Sequence, residues 1–437
     1  MTRTLFASVG GSPQPVRSAI EGARWERVHF VVSEAPGGGS TSSRPMVDDV
    51  ETFYRQPRGA DPGERGPGLR HLPACPRDIA ITGVPADDLD TALAKIDAAL
   101  TAELRAGRSV TVDYTGGTKT MTAAMVLAAT AHEGVRLQFM SGRRADLRQV
   151  EAGSEAPVEM PGALIGLARL FATARSFVRT HNYGAALAVM REAKSALRRD
   201  GVARPPKSWN SRIAMWTAWI AMMEAWDRFA HREAAELLAK ARNGNSSWVP
   251  SFEAAGLHDR LEVLAASNGR PTPALLEDLW LNACRRAALG LHDDAVARLY
   301  RLAEACVQSR LWTLHGIDTA RVEPGQLTDE ERRLAGARQD RKGRDVHVLP
   351  LMQALTVLRR LDPGDPVVAC WPVREDGAFD HPPWQAARNN SILAHGFRAL
   401  SAEDWKVAHG WFDERRAALW EAALGRVTAA QLPSKLP

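Results

Sequence analysis

Hydrophobic positions along the first third of the chain fall into short runs of strand length: Thr4–Val9, Arg27–Val32, Asp78–Val84, Ser109–Asp113 and Val135–Phe139. They are rich in Val, Ile, Phe and Leu. Between or after them lie stretches with apolar residues three and four apart, at Val16–Arg24, Asp88–Ala106 and Thr118–His132. Strands alternating with helices predict βαβ units and a mainly parallel sheet covered on both faces. From about Ala163 the pattern changes to helical periodicity throughout. Leu164–Thr180, Tyr183–Arg198, Ile213–Phe229, Glu233–Arg242, Leu275–Ala288, Asp293–Leu314 and Val348–Leu361 all carry it. Glu34–Arg77 interrupts the strand–helix alternation and, dense in Gly, Pro, Ser and Arg, reads as a long surface loop.

The aromatic residues divide the chain at the same place. Of 13 Trp, only Trp25 precedes residue 200, so two architectures are expected. With 437 residues, two or three domains fit. The boundaries read as 1–155 for the α/β part, with 34–77 an insertion, and 156–437 for the helical part. Within the latter, 156–270 connects to a core at about 271–437. Trp216, Trp219 and Trp226 share a helical face and read as core.

Composition narrows the class. Hydrophobic residues make up 45% and charged residues 24%, which excludes global disorder. The longest apolar stretches, such as Thr122–Ala131, are too short to cross a bilayer, and no secretory apolar segment stands at the N-terminus. Four cysteines without a Cys-x-x-Cys pair argue against a disulfide framework or a cysteine zinc site, and a cytoplasmic location is expected. Lys and Arg exceed Asp and Glu by 56 − 51 = 5, a surplus that permits a nucleic-acid partner without predicting one.

Two loops stand where the sheet would present its carboxyl ends. The first strand runs into Ser8-Val-Gly-Gly, with Gly10 and Gly11. The fourth runs into Asp113-Tyr-Thr-Gly-Gly-Thr-Lys, covering Thr115, Gly116, Gly117, Thr118 and Lys119. Ligands of parallel sheets sit beyond such ends, glycines admit a close ligand, and a helix N-terminus with a lysine attracts an anion. Hydroxyls at Thr115 and Thr118 are candidate donors to phosphate or ribose. The pattern is neither a P-loop nor a dinucleotide fingerprint. It resembles the CARF domain of type III CRISPR effectors, a Rossmann-like sensor. The resemblance implies a homodimer holding one cyclic oligoadenylate, with tetra- or hexa-adenylate as activator, across its two-fold axis. A ring with internal symmetry suits such a site.

Near the C-terminus stands Trp384-Gln-Ala-Ala-Arg-Asn-Asn-Ser-Ile-Leu-Ala-His-Gly-Phe. Arg388 and His395 are seven apart, which on a helix places both on one face. Gly396 would then stop the helix, and Ile392 and Leu393 would anchor its other side. Arg–His spacings of this kind recur elsewhere in the chain. Here, however, Asn389 and Asn390 interrupt a helical pattern that they suit poorly. The segment resembles the Arg-Asn-x-x-x-x-x-His signature of HEPN ribonucleases, and Asp278–Ala283, Asp293–Glu304 and Gln308–Leu311 resemble the helical region of the CARF–HEPN subfamily. A 2′-hydroxyl can cut RNA without metal if His395 moves protons and Arg388 stabilises the crowded phosphate, with Asn389 orienting the histidine or touching the phosphate. The resemblance implies that two HEPN domains join to make one composite site.

The whole reading is an α/β Rossmann-like domain followed by an all-α effector. With what the two resemblances imply, the expectation is a homodimer that cuts single-stranded RNA when a cyclic oligoadenylate binds, with no catalytic cofactor, no metal site, no membrane and no stable DNA binding. Two rivals remain at this point: a CARF domain that degrades its own ring, and a non-catalytic sensor or scaffold. Zinc-hydrolase and serine-hydrolase motifs do not occur.

Overall fold

The computed structural model describes residues 2–34, 42–49, 67–132, 134–142, 156–160, 162–199, 207–339, 343–421 and 429–437. The chain divides into two units. One comprises Met1–Phe171 and Glu192–Lys207, the other Ala172–Arg191 and Ser208–Pro437.

In the first unit, β1 (Arg3–Val9), β2 (Arg27–Glu34), β3 (Ile79–Pro85), β4 (Ser109–Asp113), β5 (Arg136–Ser141) and β6 (Ala156–Met160) form one sheet in the order β3-β2-β1-β4-β5-β6. The first five are parallel and β6 pairs antiparallel with β5. This is a Rossmann-like arrangement. β6 lies beyond the expected end at residue 155, in a short segment with a proline and a charge that periodicity did not single out. Strand order reverses between β1 and β4, opening a crevice beyond their carboxyl ends.

Both faces of the sheet are covered. Val16, Ala19 and Ile20 of the helix Gln14–Glu21 pack on one. The helices Leu89–Arg105 and Lys119–Ala129 cover the other through Ile96, Leu100, Met121 and Met125. The segment 34–77 is not only surface loop. Arg44–Asp48 is helical, and Met46, Val47 and Leu69 are fully buried against the first face. Its Gly, Pro and Arg density hid these few apolar anchors. The rest of that segment, 35–41 and 50–66, lies outside the described residues.

Among the described residues the second unit is helical apart from an antiparallel strand pair, Gly336–Gln339 with Asp345–Val348, which the all-α expectation did not include. Asp345–Val348 is β-bonded, and Pro350 caps the following helix, so that helix begins at Leu351 instead of Val348. Its central pair is Pro273–Ala288 and His292–His315. Thr272 caps the first by accepting from the Leu275 amide, with Pro273 at its first position. Gly316, at φ +65°, ends the second. Trp280, Leu302, Trp384, Phe412 and Trp420 meet in the core around this pair. Trp216, Trp219 and Trp226 are also buried.

The Pro273–Ala288 helix buries charge on its other side. Asp278 is fully buried and accepts from Trp226 Nε1 at 3.1 Å and from Arg260 Nη2 at 2.5 Å, with His231 Nε2 at 3.1 Å. Burial opposes its ionisation, but the His231 hydrogen bond and the Arg260 and Arg285 charges outweigh that and hold the carboxyl below the usual aspartate range. Arg285 donates to Asp227 at 2.6 Å and to the Gln431 side chain at 2.7 Å.

Removing one member of a buried ion cluster leaves its partners uncompensated, at a cost of about 3–5 kcal/mol. Asp278→Ala should lower the urea-unfolding free energy by that order. Because the folded pKa is depressed, this stability is present above the unfolded value of about 3.9 and is lost as pH falls through the folded one. The gap between wild type and variant should therefore shrink below about pH 4. A gap that stays constant there would contradict this account.

Candidate functional site

At the sheet's switch point the two glycine loops are bound to each other. Ser8, buried at the end of β1, donates its hydroxyl to the Gly116 carbonyl at 2.7 Å. A Cβ on Gly10 would stand 2.5 Å from the Gly117 nitrogen, and one on Gly116 would overlap the Ser8 carbonyl. Gly117 has φ +86°. Glycine at these three positions lets loop meet loop. Gly11 faces open space.

The threonines are committed in the same way. Thr115 donates its hydroxyl to Asp113 Oδ1 at 2.6 Å, and its amide to the same oxygen at 3.0 Å. Its oxygen accepts from the Met140 amide at 2.7 Å. Thr118 caps the Lys119–Ala129 helix by accepting from Met121, and donates to the Ala86 carbonyl at 2.6 Å. Neither hydroxyl hydrogen is free for a ligand, contrary to the expectation that both would serve as donors. Asp113, which that expectation left without a role, is the hub. It is buried, and Gln138 donates to its second oxygen at 3.0 Å. Burial pushes its carboxyl up, against the pull of the Thr115 and Gln138 hydrogen bonds. The crevice is thus built from backbone and from Lys119, whose side chain is exposed at the first turn, where a helix leaves its leading amides without intrahelical acceptors.

In the second unit the helix Pro383–Asn389 ends at Asn389, so Arg388 and His395 do not share one helix face. The two asparagines that sit poorly in a helix end it. The following turn folds back on the helix end. The His395 amide donates to the Asn389 carbonyl at 3.1 Å, Gly396 to Ser391 at 3.2 Å, and Arg398 to Asn390 at 3.2 Å. A Cβ on Gly396 would overlap the Asn390 carbonyl oxygen, so this glycine serves close approach and does not stop a helix. Asn389 joins the pair. Its side-chain oxygen accepts from Arg388 Nη1 at 3.2 Å, while its backbone oxygen holds the His395 amide.

His395 is exposed, as are Ile392 (60%), Leu393 (52%) and Phe397 (96%). The expected anchoring by Ile392 and Leu393 does not occur, because the turn points them outward. Arg388 is half-buried, with its Cζ 3.8 Å from the centre of the Tyr300 ring. Burial pushes the Tyr300 hydroxyl up, with the Glu304 carboxylate adding to it, and burial likewise raises the Glu304 carboxyl. Neither residue stood out in the sequence as a site residue. Both lie on the His292–His315 helix, far along the chain from Arg388, and only their spacing of one turn was visible.

The loop packing separates neighbouring glycines. Gly10→Ala should destabilise by about 1–3 kcal/mol, as overpacking does, while Gly11→Ala should fall within about 0.5 kcal/mol of wild type. Urea melts of the two variants check this, and equal effects would refute it.

Among known proteins, residues 266–410 match the family model described as the Csm6 HEPN domain. No curated protein matches the chain. Among solved structures, Csm6 from Enterococcus italicus, bound to cyclic hexa-2′-fluoro-hexa-dAMP, is similar at 14% identity and a TM-score of 0.46, covering 98% of this chain and 96% of that one. Can2 from Sulfobacillus thermosulfidooxidans, in complex with cyclic tetra-adenylate, gives 13% and 0.23 over 51% of this chain and 66% of that one. A type III CRISPR defence DNA nuclease activated by cyclic oligoadenylate gives 17% and 0.23 over 51% and 34%. The turn that carries Arg388, Asn389 and His395 lies inside the segment, residues 266–410, that is similar to the Csm6 HEPN domain.

Proposed function

We propose that the chain is a cyclic-oligoadenylate-activated endoribonuclease of type III CRISPR defence, working as a homodimer. The observation that carries the reading is the turn after the Pro383–Asn389 helix, where Asn389 ties Arg388 to His395 inside the Csm6 HEPN segment.

RNA brings its own nucleophile. His395 takes the proton of a 2′-hydroxyl, whose oxygen attacks the adjacent phosphorus. The 5′-oxygen leaves, and the products carry a 2′,3′-cyclic phosphate and a 5′-hydroxyl. Arg388 meets the charge that builds on the non-bridging oxygens. One copy offers one imidazole, and the leaving oxygen needs a proton, so the histidine of a second copy supplies it. Ile392, Leu393 and Phe397 form an exposed apolar set around His395 that a second copy would cover. In the first unit, the cyclic ligand lies over the Gly10–Gly11 and Gly116–Lys119 loops, held by backbone amides and Lys119 of each copy. Binding activates to the extent that the ring prefers the active arrangement. Because the Thr115 and Thr118 hydroxyls are spent on the loops, degradation of the ring by the same domain is the weaker reading.

Cleavage of a labelled single-stranded RNA with cyclic tetra- or hexa-adenylate, in EDTA, is the test. Cutting should require one of the rings and survive EDTA. Arg388→Ala and His395→Ala should each lower the rate by about 10² or more. Ligand-independent cutting, loss in EDTA, or full activity in either variant would overturn the assignment. Phe397→Asp should shift the protein toward monomer in sedimentation and lose cleavage with it.

A further inference from the structure

A guanidinium that must receive an RNA phosphate faces a conflict. It needs a rigid seat, and the usual seat, a carboxylate, would neutralise it and occupy its donors. Arg388 is seated differently: among the described residues it forms no salt bridge, and the Glu304 carboxyl feels its charge only through space. Its Cζ lies 3.8 Å from the centre of the Tyr300 ring, well inside the distance at which a cation and an aromatic face attract. Among the described residues its side chain hydrogen-bonds to the neutral Asn389 oxygen alone, and its Nε is buried without a partner.

Tyr300 is itself held on two sides. Trp384, fully buried on the helix that carries Arg388, meets the ring edge-on at 6.4 Å and 69°. One turn further along the His292–His315 helix stands Glu304, whose carboxylate adds to the upward push on the phenol and lies 3.6 Å from Arg301. The helix is anchored through Leu299, Leu302 and Ala303, all fully buried. The ring therefore has little freedom to follow the guanidinium, and instead dictates where it lies.

We propose that Tyr300 is the positioning residue for Arg388: its ring face fixes the guanidinium while leaving the positive charge intact for the phosphate. The role rests on the ribonuclease reading. It predicts that the face of the ring matters and the hydroxyl does not. A bound phosphate gains most from a fixed guanidinium when charge peaks in the transition state, so the effect should fall on kcat more than on KM.

The experiment compares Tyr300→Phe and Tyr300→Leu in the full-length, ligand-activated protein, with thermal melts confirming folding. Tyr300→Leu should lower kcat about 2- to 30-fold, the range open to a partly desolvated cation–π contact, with KM within about twofold. Tyr300→Phe should restore wild-type kcat. In parallel, the Nε–Hε resonance of Arg388, assigned by its loss in Arg388→Lys, should be shifted by the ring in wild type and Tyr300→Phe, and return toward the free-arginine position in Tyr300→Leu. An unchanged kcat in Tyr300→Leu, or a Tyr300→Phe that behaves like it, overturns the proposal. A wild type that cuts no RNA under any ring, yet shows the shifted resonance, overturns the ribonuclease reading and this role with it, while leaving the contact in place.

Discussion

The helix Pro273–Ala288 must bury charge, and the second unit is organised around that constraint. Glu277, Asp278, Asn282 and Arg285 are all buried on it, beside Trp280 and Ala283. A helix with such a stripe is stable in a protein interior only if every charge finds a partner. The partners come from far along the chain: Trp226 and Asp227, His231, Arg260, and Gln431 near the C-terminus. Satisfying them fixes the helix, and its apolar side then receives His292–His315, which carries Tyr300 and Glu304. The seat of Arg388 is the far end of that sequence of dependencies.

Both candidate sites are shaped by backbone approach more than by reaching side chains. In the first unit, Ser8, Asp113, Thr115 and Thr118 are spent on holding two loops together, and glycines at 10, 116 and 117 permit the contact. In the second, Asn390 against Gly396 closes the turn that carries His395. A backbone-built site costs little reorganisation when an anion arrives, since its amides are already aimed. It also explains why so few charged residues are needed, and why a net surplus of only 5 cations is no obstacle to binding nucleic acid or its cyclic relatives.

Much of this was legible beforehand. Five of the six strands of the first sheet, the loops at their ends and the long helices after residue 163 follow from periodicity, because each is a local response to a repeating apolar pattern. The Arg–Asn–His grouping was legible as chemistry, through residue types suited to phosphate and proton transfer. Its geometry was not. A spacing of seven fits a helix, but Asn389 and Asn390 end the helix at that point, and the histidine is brought back by a turn whose hydrogen bonds no periodicity records. The buried anchors Met46, Val47 and Leu69 were hidden for a similar reason: one adjacent apolar pair and one lone leucine make no pattern until a sheet exists to receive them.

The sequence alone determined the two architectures, the glycine loops at the ends of β1 and β4, and the presence of Arg388, Asn389 and His395 in one short segment. These depend on local composition and on contacts within a few residues. Only the tertiary structure decided that the loop hydroxyls face inward, that Ile392, Leu393 and Phe397 face outward, and that Tyr300 lies under Arg388. Each of those outcomes is a choice among partners distant in the chain. Such choices are made by which buried polar groups can be satisfied together, a property of the packed whole that no window of sequence contains.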